Sequence, residues 1–181
     1  MNPSPALRFT YQDYLLLPEE RRYEILDGDL FMTPAPTTRH QRVSLKLTML
    51  LSEFVRTRKL GEVLYAPCDV VLSEMDVLQP DILFVSRERS SIIGEKFISA
   101  APDLVVEILS PSTADRDRGL KAKVYARFGV RELWIVDPEA ETVTLLTGAE
   151  AGFAAAGTYR PGQTLRSRVL EGLEIPIAEI F

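Results

Sequence analysis

Residues 101–138 read APDLVVEILSPSTADRDRGLKAKVYARFGVRELWIVDP, and this stretch decides the architecture. Residues 104–109 and 133–136 are apolar runs, of the kind found in strands covered on both faces. Between them, residues 113–128 have the length and spacing of a helix. Ser112 or Thr113 can cap it and Gly129 ends it. Strand, helix and strand in succession point to the α/β class.

Working outward, Asp27-Gly28 lies between two apolar stretches of residues 23–32 and predicts a hairpin. Thr10 is the cap of a short helix over 11–17, closed by Pro18. Val43, Leu47, Leu50, Leu51 and Phe54 have amphipathic spacing, which predicts a helix over 39–54. Further strands are expected at 63–72, 82–86 and 142–146. Residues 33–38 and the Ala- and Gly-rich 148–157 read as connections. The tail, 163–181, adds a strand and a docked terminus. The expected fold is an α/β domain covering all 181 residues: a mixed β-sheet flanked by helices, with an N-terminal hairpin.

Composition narrows the function. Hydrophobic residues make up 46% and charged residues 26%, which excludes disorder and coiled coils. Cys68 and His40 are the only residues of their kinds, so a disulfide framework and a Cys- or His-rich metal site are excluded. No apolar run approaches the roughly 18 residues of a membrane span. The first residues lack the apolar core of a signal peptide, so a reducing cytoplasm is the expected home. The net charge is -5, unlike that of most proteins that coat nucleic acid. Any such contact must use a local patch, for which Arg116, Arg118, Lys121, Lys123, Arg127 and Arg131 are the candidates. The alternative is a solvated helix face with Asp115 and Asp117 interleaved.

The informative residues are carboxylates in apolar surroundings. Glu107 interrupts a buried strand, where an unpaired carboxylate costs several kcal/mol. It therefore requires a cation partner, protonation, or a metal or catalytic role. Asp81 and Asp103 both follow a proline at a strand entrance. Asp103 stands four residues before Glu107, about 13 Å along a strand, too far to share an ion. Asp81 is on another strand and can lie beside Glu107. At 100° per residue, Lys121 falls on the same helical face as Val124, Tyr125 and Phe128, an unusual place for an ammonium. It is either a snorkelling stem or a lysine aimed at Asp81 and Glu107, with Asp117 a local alternative partner. Glu24, in the hairpin, is a further acidic candidate. His40 and Gln41, at the start of the second helix, can approach a substrate phosphate. Ser110 and Ser112 can bind phosphate or serve as turn and cap residues.

The linked motifs QPDILFV, APDLVVEILSPST and DRDRGLKAKVYARFGVRELWIVDP, with RRYEILDGDLFMTPAPTTRHQRV upstream, resemble the Uma-type restriction-endonuclease family. That family belongs to the PD-(D/E)XK nuclease superfamily. The resemblance runs from about Phe9 to Leu146. It implies a metal-dependent endonuclease with Asp81, Glu107 and Lys121 as the catalytic residues. The superfamily lysine normally stands two residues after the second acid, where this chain has Leu109. The resemblance implies that Lys121, on the following helix, has taken its place. It further implies that Glu24, Asp81, Glu107 and the Ile108 carbonyl hold Mg²⁺, for which Mn²⁺ can substitute. His40, Gln41, Ser110, Arg116, Arg118 and Tyr125 are the candidate substrate contacts. DNA is the expected partner, and a homodimer is expected because severing both strands calls for two sites. The alternatives are a dormant module on the same fold that binds nucleic acid or protein, and a hydrolase of another phosphate ester.

Overall fold

The computed structural model describes residues 7–18, 20–111 and 114–181. Thr10 caps a single-turn helix α1 (Tyr11–Tyr14) in a reciprocal capping box with Asp13. The hairpin forms as expected, β1 (Arg22–Leu26) against β2 (Asp29–Thr33). Asp27 and Gly28 at its turn have φ of 51° and 79°, the primed-turn geometry that Asp-Gly favours. Helix α2 (Thr38–Arg58) starts at the Thr37 cap and ends where Lys59 turns left-handed.

The hairpin joins β4 (Val70–Ser73) and β5 (Asp76–Leu78) in a four-stranded sheet of order β2-β1-β5-β4. A six-stranded sheet of order β10-β9-β8-β7-β6-β3 forms the centre. Its strands are β3 (Gly61–Tyr65), β6 (Ile82–Ser86), β7 (Leu104–Ile108), β8 (Glu132–Asp137), β9 (Thr142–Ala149) and β10 (Gly152–Tyr159). β7 and β8 pair in parallel and the remaining neighbours antiparallel. A parallel pair needs a crossover. Helix α3 (Ala114–Arg116) supplies it, passing through a π-helical turn (Asp117–Lys121) into α4 (Ala122–Arg127). The expected caps Ser112 and Thr113 lie outside the described residues.

Strand alternation sorts the core. Leu104, Val106 and Ile108 pack with α2 and the C-terminal ribbon of β11 (Thr164–Arg166) and β12 (Glu174–Pro176). Val105 and Leu109 face α4 and the hairpin sheet, and Glu107 shares their side of β7. Every residue of β7 is buried, as its composition predicted. Buried Glu132 anchors the ribbon side. It accepts from Trp134 Nε1, Ser167 Oγ and the Arg168 amide, each at 2.7 Å.

Two expectations need correction. The strand expected over 63–72 is divided between β3 and β4, because residues 66–69 cross from one sheet to the other. The connection expected over 148–157 is a β-hairpin, with Ala149 opposite Gly152. Ala and Gly are poor strand formers, but β9 presents an edge whose main-chain groups pair with theirs.

Candidate active site

Three elements deliver the central side chains. Asp81 immediately precedes β6, which runs antiparallel to β7 with Ile82 opposite Val106. Its Oδ2 accepts the Ile108 amide at 2.7 Å, so the carboxylate is fixed at the end of β7 beside Glu107. The π turn carries Asp117 and Lys121, and both are buried. Such turns re-aim side chains and occur often at functional sites. Lys121 Nζ lies 3.1 Å from Glu107 Oε2, 2.8 Å from Glu24 Oε1 and 3.5 Å from Asp117 Oδ1. Lys121 thus faces inward beside Glu107, as the helical spacing predicts, and Lys123 is exposed on the opposite side.

These groups close a pocket of about 180 Å³. Asp81, Glu107, Ile108, Asp117 and Lys121 line it, as do His40, Gln41, Ser110 and Arg116. The loop 33–36 and Tyr65 frame it.

The electrostatics follow from burial. Glu24, Glu107 and Asp117 surround Lys121, Arg116 faces Glu24, and Asp81 faces His40. Burial pushes the Glu107 carboxyl well above its ordinary value of 4.5. Lys121 opposes that shift, while Asp117, Asp81 and Glu24 add to it. Burial alone would depress the Lys121 ammonium, but Glu107, Glu24 and Asp117 outweigh it and push its pKa up. Asp81 and Glu107 thus stand together at one pocket, an acidic pair that suits a divalent cation.

Among the described residues no three His, Cys, Asp or Glu side chains are grouped to hold a metal. Mg²⁺ does not need such a cage, since one or two carboxylates and waters satisfy it. Asp81 and Glu107, with the backbone of Ile108 beside them, fit that requirement. Glu24 does not. It is fully buried and is absent from the pocket lining. Its Oε1 accepts from the Gln79 amide at 2.9 Å and faces Lys121, so it holds the lysine from behind.

Other expected contacts also sit differently. Tyr125 is fully buried, and its hydroxyl donates to Glu107 Oε1 at 2.6 Å, so it orients the acid rather than meeting a substrate. Burial, together with Glu107 and Glu24, pushes the Tyr125 hydroxyl well above its usual pKa. His40 Nε2 lies 3.2 Å from Asp81 Oδ1 and is committed to that carboxylate. Arg118 pairs with Asp137 at 2.7 Å, outside the pocket. Arg116 faces Glu24, Arg127 engages Asp27 and Asp76, and Arg131 reaches Asp103. The anticipated basic patch is therefore largely neutralised by acids distant in sequence.

Asp103 is a strand-entry residue, as its spacing predicted. Its carboxylate binds Arg89 at 3.0 Å and accepts the Ser86 amide at 2.8 Å. Pocket residues that the sequence reading missed include Arg22, Thr33, Ser44, Tyr65 and Gln79. Arg22 was detectable, since it stands two residues before Glu24 and shares its face of β1. Gln79 was detectable from its place beside Pro80-Asp81. Nothing local marks Thr33, Ser44 or Tyr65.

Known proteins share the fold and most of the chain's length. The structure superimposes on a crystal structure described as "a putative nuclease belonging to DUF820" from Anabaena variabilis. The TM-score is 0.81 at 19% identity, over 96% of this chain and 97% of the other, a likeness of fold. An uncharacterised protein of Synechocystis is 29% identical over 130 residues, covering 68% of this chain. The match spans 65% of that relative's length, a little under two thirds. The family model Uma2, described as "Putative restriction endonuclease", matches residues 11–178. Nearly the whole length is included, hairpin, acids and lysine together, and the chain therefore belongs to the Uma2 family.

Proposed function

We propose that the pocket is the active site of a metal-dependent endonuclease that hydrolyses phosphodiester bonds in DNA. One observation carries this reading: Asp81, Glu107 and Lys121, from three separated parts of the chain, meet at a single pocket. Asp81, Glu107 and the Ile108 carbonyl would hold Mg²⁺, with Mn²⁺ as a substitute. When bound, the ion acts as a Lewis acid on the phosphoryl group and offsets its charge.

The protein's own groups do the rest. Lys121 presents a fixed ammonium to the negative charge that develops as water adds to phosphorus and the ester oxygen departs. A preorganised cation in a buried site stabilises such charge without reorganising. Glu24 and Asp117 keep the ammonium charged and in place. Tyr125 fixes the Glu107 carboxylate, and His40 fixes that of Asp81. A homodimer in the cytoplasm, with one site for each strand, completes the proposal.

The test is plasmid and oligonucleotide cleavage with Mg²⁺ or Mn²⁺, alongside metal-dependent thermal stabilisation. Asp81→Asn and Glu107→Gln should abolish cleavage while the fold remains intact. Equal cutting by wild type and both variants would make the assignment wrong.

A further inference from the structure

The pocket has a second wall that the acids and lysine leave unused. Arg22 and Thr33 are directly opposite in the β1–β2 register, and Glu24 and Phe31 form the next pair on the same face. Arg116 lies over the Phe31 ring, 5.2 Å from its centroid, which brings it beside the Arg22–Thr33 pair. All three of Arg22, Thr33 and Arg116 line the pocket.

Their hydrogen-bonding capacity is not spent. Thr33 Oγ1 and Arg116 Nε are buried without a hydrogen-bond partner. Arg116 meets Glu24 Oε2 at 3.5 Å, at the long limit of an ion pair. Arg22 donates to the neutral Pro34 carbonyl at 3.2 Å. Buried donors without partners are costly. Two guanidinium forks and a hydroxyl on one wall match the oxygens of a phosphate. A carboxylate ligand would need only one fork. The carboxylates of Asp81, Glu107 and Asp117 in the same pocket repel anions, so these donors must supply the attraction.

We infer that Arg22, Thr33 and Arg116 form a phosphate subsite that holds a backbone phosphate of the nucleic acid in the same pocket as the acids. The inference rests on the nuclease reading and adds the residues that seat its substrate. Arg22 is the group to change, because it is half-buried in the pocket lining and pairs with no carboxylate among the described residues.

The experiment follows binding of a fluorescent DNA duplex by anisotropy across a salt series, with Ca²⁺ present, for the full chain and its variants. Arg22→Gln should weaken binding about tenfold and reduce the salt slope by about 0.9, the loss of one phosphate contact. Arg22→Lys keeps the charge and should retain the slope while losing part of the affinity. Thr33→Val should weaken binding about threefold at unchanged slope. Wild-type affinity and slope in Arg22→Gln, or no duplex binding by wild type, overturns the subsite. So does thermal stabilisation by inorganic phosphate that Arg22→Gln abolishes while duplex binding is unaffected, because the site then serves free phosphate. Cleavage with Mn²⁺ separates the two claims. Cutting by wild type with unaltered binding by Arg22→Gln defeats the subsite alone, whereas the expected binding series without cutting defeats the nuclease alone.

Discussion

Lys121→Met is the sharpest perturbation of this site, because it keeps the aliphatic stem and removes the charge. The ammonium touches Glu24 at 2.8 Å, Glu107 at 3.1 Å and Asp117 at 3.5 Å, with its side chain 5% exposed. Removing one partner of a buried ion pair costs about 3–5 kcal/mol, since the remaining charge stays desolvated. For a chain of 181 residues each kcal/mol is worth about 2–4 °C, so Tm should fall by about 6–20 °C. The loss should depend on pH. Glu107 already has its pKa raised above 4.5, and loss of Lys121 removes a cation that lowers it. A carboxyl raised in the folded state binds more protons there than when unfolded, so stability falls as pH rises above its unfolded value. The deficit of Lys121→Met should therefore grow from about pH 4.5 upward and shrink on acidification. Adding Glu107→Gln should recover about 1–3 kcal/mol, because one of the stranded charges is gone. Urea unfolding of wild type, both single variants and the double variant across pH 4–8 measures all of this. A loss below about 1 kcal/mol, or a deficit that acid does not relieve, would refute the idea that Lys121 is the counter-ion of the buried acids.

Other substitutions probe separate links. Tyr125→Phe removes a 2.6 Å hydrogen bond to Glu107 and should cost about 1.5–3 kcal/mol in denaturant unfolding; an unchanged midpoint would show that the hydroxyl does not hold the acid. Glu132→Gln replaces one acceptor oxygen by an NH2 that must face either Trp134 Nε1 and Ser167 Oγ or the Arg168 amide. It should cost about 2–3 kcal/mol, shift Trp134 fluorescence and expose residues 163–181 to protease; retention of both signals would contradict the anchoring role. Asp103 has its pKa lowered, because the Ser86 amide and Arg89 outweigh its desolvation. That stabilisation is present above the unfolded value of 3.8 and is lost as pH falls through the folded one. Asp103→Asn should accordingly be less stable than wild type near neutrality and flatter in acid; parallel acid-unfolding curves would exclude the contribution.

Local chemistry alone carried the reading a long way. The apolar run around Glu107 implied a strand buried on both faces, and Asp27-Gly28 implied the hairpin turn. The rotation per residue placed Lys121 on the inner face of its helix, and the rise of a strand removed Asp103 from the site in favour of Asp81. Each conclusion depends on backbone geometry repeated over a few residues. What remained hidden was the identity of partners far away in the chain. Glu24 looks like one more metal-ligand candidate until the fold buries it fully and sets its Oε1 against the Lys121 ammonium. The cations of the crossover helix and the loop after it look like a nucleic-acid patch until Asp27, Asp76, Asp103 and Asp137 are seen to meet them. Residues 148–157 look like a linker until β9 offers them an edge. Residue order therefore settled which segments are strands and helices and which carboxylates stand in apolar company. Only the packed molecule decided whether each charge faces solvent, a cation or the pocket, because Coulombic and hydrogen-bonding energies depend on distance in space and on the water that packing removes.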